Sequence, residues 1–461
     1  MTATLSDAAG DGTLTARFLA ALAAVPVTAA ARDVAALIVA DALAVGCAAR
    51  KEPGPGHLLA LAEGGEGPCH ILGHRRRLGP VAAARINGAL IHVLDYEPMW
   101  NPANHAVSTS VPGLLALAAL RPAEPERLLD ALVRGIEAMA RLRLASRQFE
   151  PGELVHHPPG VVGPIGSAVA CGVYIGLSPE RLRAAVGIAA SRAGGVLANV
   201  GSMTKALHCG QAAASGLEAA LLAERGFTAH PAVLDGARGF LNAYFGPKAD
   251  PEPLTAASAT PHLLQPGPAW KLYPAQYGTQ FVIEAGLALA RRMAGAGLAA
   301  AAIAEAEIVT PVMPYVDRPL PGDGHEGKFS MQYGLALALA DGRVGLDSYT
   351  DARRFEPEME ALLRRIRLRA DPSREGRFDR MRVEVSVVLG NGTRLVAECD
   401  GPEGIWSRPV RPERLAAKIA DCLAVSHGPA AQELAASLLA FGRPSGPDLP
   451  SLLDRLEDRL P

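Results

Sequence analysis

The 461 residues carry 45 Lys and Arg against 47 Asp and Glu, a net charge of −2, and 49% of them are hydrophobic while only 5% are aromatic. Nucleic acid and anionic membrane surfaces both call for a basic excess that this chain lacks, so neither is an expected partner. Apolar content made chiefly of Ala, Leu and Val predicts a mostly α protein, built as more than one domain or as one large core carrying an insertion.

From Ala30 to Cys47 apolar residues recur at helical spacing, with Asp33 and Asp41 on the other side. Pro53-Gly54-Pro55-Gly56 reads as a break before a second helix, and a short extended piece around Ile71 follows. Pro80 opens a helix carrying Asn87 and His92, which runs into Asp95-Tyr96-Glu97-Pro98-Met99-Trp100 and on to Asn104-His105. So many polar and aromatic residues directly after an apolar helix are hard to explain by packing. Helices are expected over 111–120, 126–144, 162–175 and from Ser178-Pro179-Glu180 to Gly194, with the paired His156-His157 in a loop before the third. Gly201, Ser202 and Thr204 supply turn and N-cap residues for a helix from Lys205 to Arg225, with Gly226 as its stop.

The Pro- and Ala-rich stretch 247–268 has the composition of a crossing between domains. Beyond it, 306–312 reads as a strand, and 381–389 as a strand that turns through Asn391-Gly392 into a second one ending at Cys399. Two amphipathic helices, 412–424 and 430–440, then close the chain. The pattern predicts a large helical domain made of 1–265 and 406–461, interrupted by a smaller α+β lid domain over 266–405.

No run reaches the roughly 18 to 20 apolar residues that a membrane span requires. Arg17 and the apolar stretch after it imitate a secretory signal, yet Asp7 and Asp11 spoil the positive leading region, so the stretch reads as mature protein. Cys47, Cys69, Cys171, Cys209, Cys399 and Cys422 form no Cys-x-x-Cys pair, which predicts reduced thiols in a cytoplasmic protein and no iron–sulfur cluster or structural zinc. Cys69, His70 and His74 do cluster, but Arg75-Arg76-Arg77 beside them would repel a cation.

Lys205 and His208 fall one turn apart at the start of their helix. An ammonium, an imidazole and a helix N-terminus together favour an anion such as a carboxylate, although an isolated Lys-x-x-His is more often a surface lysine beside a packed histidine. The run Met203-Thr204-Lys205-Ala206-Leu207-His208 resembles the Lys-Pro-Leu-His segment of the MmgE/PrpD family. Further segments extend the likeness over most of the chain: Asp95 to His105, His157-Pro158-Pro159-Gly160, Lys271 to Gln280, and Lys328-Phe329-Ser330 with Tyr333.

The resemblance implies a lyase that needs no cofactor or metal, a dehydratase or decarboxylase of small tri- or dicarboxylates of the 2-methylcitrate and cis-aconitate type. The family also contains epimerases of dicarboxylates, and a carboxylate-binding relative without activity is a third reading. It implies a homodimer and a cleft between the two domains, in which His105 is the first choice of acid or base and His157 the second. Asp95 would orient an imidazole, Lys205 and Lys271 would anchor carboxylates with His208 beside them, and Tyr333 would close the cleft. Met99, Pro159, Gln276 and Gln280 depart from the family pattern; the glutamines stand where relatives often carry histidine and cannot exchange protons near neutral pH.

Overall fold

The computed structural model describes residues 12–460 apart from residues 63, 151 and 153, so Asp7 and Asp11 lie outside the described residues. Helices α1 (Leu14–Ala24) and α2 (Ala29–Ala48) begin at Thr13 and Thr28, whose side chains accept from the N–H groups of Ala16 and Ala31. In α3 (Pro53–Leu61) the Pro-Gly-Pro-Gly segment forms the first turn instead of a break, because proline at the start of a helix forfeits no hydrogen bond. A hairpin of β1 (Cys69–Ile71) and β2 (His74–Leu78) precedes α4 (Pro80–Val93).

Helices α5 (Val107–Leu120), α6 (Pro125–Ala145), α7 (Pro158–Ile175), α8 (Pro179–Ala190) and α9 (Thr204–Glu224) complete the main bundle. Several boundaries differ from expectation, beginning with α5, which starts at Val107 and not at 111. Helix α7 starts at Pro158 because His157 is its N-cap residue and both prolines fit the first turn. Helix α8 stops at Ala190, short of Gly194. Met203 and not Thr204 precedes α9, and it makes no side-chain capping bond. Contrary to the sequence reading, α7 is 18 residues long with mean hydropathy 1.3, enough by length and composition to cross a membrane, but 89% of it is buried inside the protein. It is a central core helix, packed against α5, α6, α8 and α9.

The crossing after α9 holds two short helices, α10 (Phe240–Phe245) and α11 (Glu252–Thr255). The α+β part then contains α12 (Tyr277–Gly295), β3 (Ile303–Thr310), α13 (Gly324–Gly327), α14 (Met331–Asp341), α15 (Asp351–Arg354) and α16 (Pro357–Leu363). Strands β4 (Ile366–Ala370), β5 (Val383–Leu389) and β6 (Arg394–Cys399) join β3 in a sheet of order β4-β3-β5-β6, parallel only between β3 and β4. Gly392, at φ 84°, supplies the turn between β5 and β6. Three helices end the chain, α17 (Pro412–His427), α18 (Ala431–Leu439) and α19 (Leu449–Asp458); the sequence reading lacked the last.

Two cores result. One joins the bundle residues up to Trp270 with Leu415, Ile419, Leu423 and their neighbours to Leu456, so α17 covers α2 from the far end of the chain. The other spans 269–405 and takes in Met99 from the bundle side. This is a mostly α protein with a small α+β part. All six cysteines are buried and unpaired.

Candidate active site

Helix α4 and helix α9 cross so closely that a Cβ on Gly210 would sit 2.1 Å from the Arg85 carbonyl oxygen, and one on Gly88 2.8 Å from the Gly210 Cα. Only glycine permits that approach. It brings His92, one turn after Gly88, against Lys205 at the start of α9, with Nζ to Nε2 at 2.9 Å. The chain then turns sharply at Asp95, whose φ of 48° lies in the left-handed region that aspartate tolerates better than most residues. The turn is held from behind by Lys418 of α17, which donates to the Tyr96 carbonyl at 2.7 Å and pairs with buried Asp41 at 2.7 Å.

Asp95 is the hub. Its Oδ2 accepts from Lys205 at 2.5 Å, and its Oδ1 accepts from Lys271, which also donates to the Asp95 carbonyl at 2.9 Å. Lys271 arrives from the α+β side because Met99 and Ala269 form a two-way backbone bridge and the Tyr96 hydroxyl donates to the Leu272 carbonyl at 3.1 Å. Burial favours the neutral acid, but the Lys205 and Lys271 ammonium groups outweigh it and hold Asp95 well below the usual carboxylate range. Burial lowers the Lys271 pKa, with Asp95 opposing.

A second carboxylate, Glu97, is fully buried and organises the imidazoles. It accepts from His92 Nδ1 at 2.6 Å and from the Ser108 N–H and hydroxyl at 2.7 and 2.6 Å. His105 Nδ1 lies 3.4 Å from it without a well-aligned hydrogen bond. The loop carrying His105 is fixed by Arg143, which donates to the Ala103 carbonyl at 3.1 Å. Burial and then Lys205 press the His92 pKa down to about 3, and burial and then Lys271 lower that of His105. His157, 4% exposed, is lowered well below the ordinary histidine value by burial and Lys205. Burial thus favours the neutral form of all three rings.

A cavity of about 60 Å³ is lined by Asp95, His105, His157 and Lys205 together with Met99, Gln276 and Tyr315. Ala103, Leu154, Pro158, Pro159, Leu197, Val200, Tyr277 and Phe378 complete the lining. The structure therefore brings Asp95, His105, His157 and Lys205 to one cavity with Met99 and Gln276 in its lining, while Lys271 reaches Asp95 from outside that lining. Lys205 is buried at 6% exposure and faces inward, not on an exposed helix end.

Four residues from the sequence reading lie outside the lining, among them Lys271, whose ammonium serves Asp95 instead of facing the cavity. The Tyr333 hydroxyl donates to the Ser348 carbonyl at 2.8 Å inside the α+β part, away from the cleft. The Gln280 amide is spent on Tyr273 and Ala275 backbone groups, shaping the loop after Lys271. His208 sits behind His157 and outside the cavity lining, with the two Nδ1 atoms 3.3 Å apart.

His92, Glu97 and Tyr315 were missed by the sequence reading. Burial and the Asp95 charge raise the Tyr315 pKa, so the phenol stays protonated. His92 Nδ1, Glu97 and His105 Nδ1 lie within 4.8 Å of one another, a spacing able to hold a cation. His92 is nevertheless engaged on both nitrogens, and the Lys205 ammonium touches its ring, so the group functions as a hydrogen-bond chain. A second cluster, His70 with Asp454 and Glu457, is bridged by Arg77 and ties the β1–β2 hairpin to α19.

A helical bundle interrupted by an α+β part, with paired lysines, carboxylates and neutral imidazoles converging on one buried cavity, has the makings of an acid–base enzyme. Residues 14–252 match the MmgE/PrpD N-terminal domain and residues 273–439 the MmgE/PrpD C-terminal domain. The chain belongs to the MmgE/PrpD family, and it is a lyase of that family. It is 34% identical over 347 residues to a cis-aconitate decarboxylase of Mus musculus, covering 74% of this chain and 71% of that protein. It is 35% identical over 350 residues to the Homo sapiens cis-aconitate decarboxylase, covering 74% and 72%. A 2-methylcitrate dehydratase of Cupriavidus necator is 27% identical over 323 residues, covering 66% and 65%.

Proposed function

We propose that this enzyme removes carbon dioxide from a small unsaturated tri- or dicarboxylate of the cis-aconitate type, using only acid–base groups of its own chain. The observation that carries the reading is Asp95 holding Lys205 on one oxygen and Lys271 on the other, beside a cavity that His105 and His157 share. A substrate carboxylate near Lys205 would be attracted by the ammonium and by the α9 N-terminus. When the carbon–carbon bond breaks, its electron pair spreads onto a neighbouring carboxylate, and the same cation stabilises that charge. An N–H of His105 or His157 then protonates the carbon while a proton from solvent is taken up on the ring's other nitrogen, so that the ring ends neutral.

The cavity wall supports an unsaturated acid over a hydroxy acid. Met99 offers no hydroxyl, Gln276 turns its oxygen to the Gly278 N–H at 2.6 Å, and Leu154, Val200 and Phe378 face the same space.

The test is a proton NMR screen in deuterated buffer of cis-aconitate, 2-methylcitrate, citrate and iminodisuccinate. Decarboxylation of cis-aconitate with one deuterium incorporated is expected, and Lys205→Ala and His105→Ala should each lower turnover by at least about a hundredfold. Alkene formation from 2-methylcitrate alone would make the enzyme a dehydratase. Deuterium exchange into iminodisuccinate without alkene or carbon dioxide would make it an epimerase. Both variants staying within a few-fold of wild type would refute the site assignment.

A further inference from the structure

His208 touches the site only through another histidine. Its Nδ1 lies 3.3 Å from Nδ1 of His157, and the ring centroids are 5.4 Å apart. His157 is buried and lines the cavity, whereas His208 is half buried, so the pair runs from a dry interior toward the surface. Neither ring pairs with a carboxylate among the described residues, in contrast to His92 and His105 beside Glu97. With Nδ1 facing Nδ1, one ring must donate and the other accept, and each keeps Nε2 on its far side.

The surroundings are built to seat this pair. The His157 N–H donates to the Gly195 carbonyl at 3.0 Å, and the Gly194 N–H donates to the Gly160 carbonyl at 3.0 Å. Gly195 lies at φ 119°, and a Cβ there would come within 3.0 Å of the His208 ring; one on Gly160 would lie 3.6 Å from the His208 Cβ. Any other residue at 195 would be strained and would crowd the imidazole. Simple packing would be better served by an apolar side chain than by two rings sharing one proton.

Decarboxylation consumes one proton per turnover at carbon, and that proton must be delivered into a cavity of about 60 Å³ whose wall is largely apolar. We infer that His208 is the relay that recharges His157. The inference rests on the lyase reading above. A proton from water or buffer adds to Nε2 of His208, the Nδ1 proton passes to Nδ1 of His157, and His157 releases its Nε2 proton to the substrate carbon. Both rings end neutral with their tautomers exchanged, and water entering as product leaves resets them.

The experiment is steady-state turnover of the acid identified by the screen, in dilute buffer, for wild type and His208→Gln, with and without added imidazole. The expected result is a kcat lowered by about tenfold or more with KM nearly unchanged, on the scale of a lost proton-transfer partner. Imidazole should restore the variant saturably and leave wild type unaffected. If His208→Gln does not fold, His208→Asn is read in the same way. An unchanged kcat, or a loss that imidazole does not restore in a folded variant, overturns the relay alone. Failure of wild type to turn over any candidate acid overturns the lyase reading and the relay with it.

Discussion

Replacing Asp95 with asparagine keeps shape and removes the charge on which two ammonium groups depend. At an effective dielectric near 20, unit charges 2.5 Å apart, the Lys205–Asp95 separation, attract by about 7 kcal/mol, part of which offsets the burial of the ions. Removing one member of such a buried group typically costs about 3–5 kcal/mol. Here both Lys271, fully buried, and Lys205 lose their partner, and the new amide N–H groups point at donors. The pH dependence gives the sharper check. Burial acting alone would raise the Asp95 pKa, but the lysines hold it far below its ordinary value, so its stabilisation is complete above the unfolded-chain value of about 3.9 and is lost as pH falls through the folded one. Urea titrations followed by circular dichroism should therefore show the full gap between wild type and Asp95→Asn at pH 7 and pH 5, and a gap smaller by about 1 kcal/mol at pH 3. A loss under about 1 kcal/mol at pH 7, or a gap that ignores pH, would refute the account of the hub.

Gly210→Ala should cost about 1–3 kcal/mol by thermal or urea unfolding, because its Cβ would meet the Arg85 carbonyl at 2.1 Å, and it should also lower kcat by separating Lys205 from His92. Tyr333→Phe should lose about 1 kcal/mol of stability with kcat nearly unchanged, since the hydroxyl serves the Ser348 carbonyl. Tyr315→Phe, at the cavity, should do the reverse: stability held and kcat or KM impaired in the same assay.

The groups that the sequence made legible were those in short runs with a family counterpart. Asp95, His105, His157, Lys205 and Lys271 come from four separate segments; the fold places the first four around one cavity and Lys271 against Asp95. His92 was hidden by its setting, since one imidazole in an apolar helix gives no periodic signal and its partner Glu97 follows only after the helix has ended and the chain has reversed at Asp95. Glu97 itself gave no separate signal, yet its side chain reaches His92 and Ser108 at once. Gln280 and Tyr333 misled in the opposite way. Each is near a site residue in sequence, but α12 turns the first back onto its own loop and α14 aims the second into the α+β core. Helix α19 was overlooked because its capping Asp448 follows a Gly- and Pro-rich segment that reads as a terminal loop.

The packing of α17 on α2 has a consequence for how this polypeptide is made. The two helices share one apolar core, but the residues between them include the entire α+β part. On a ribosome adding about 5–20 residues per second, the emerging α2 waits roughly twenty seconds to over a minute for its cover. During that interval Asp41 has no Lys418 to neutralise it and the surrounding leucines face water or a chaperone. A helix made late is therefore the cover of a helix made some 360 residues earlier.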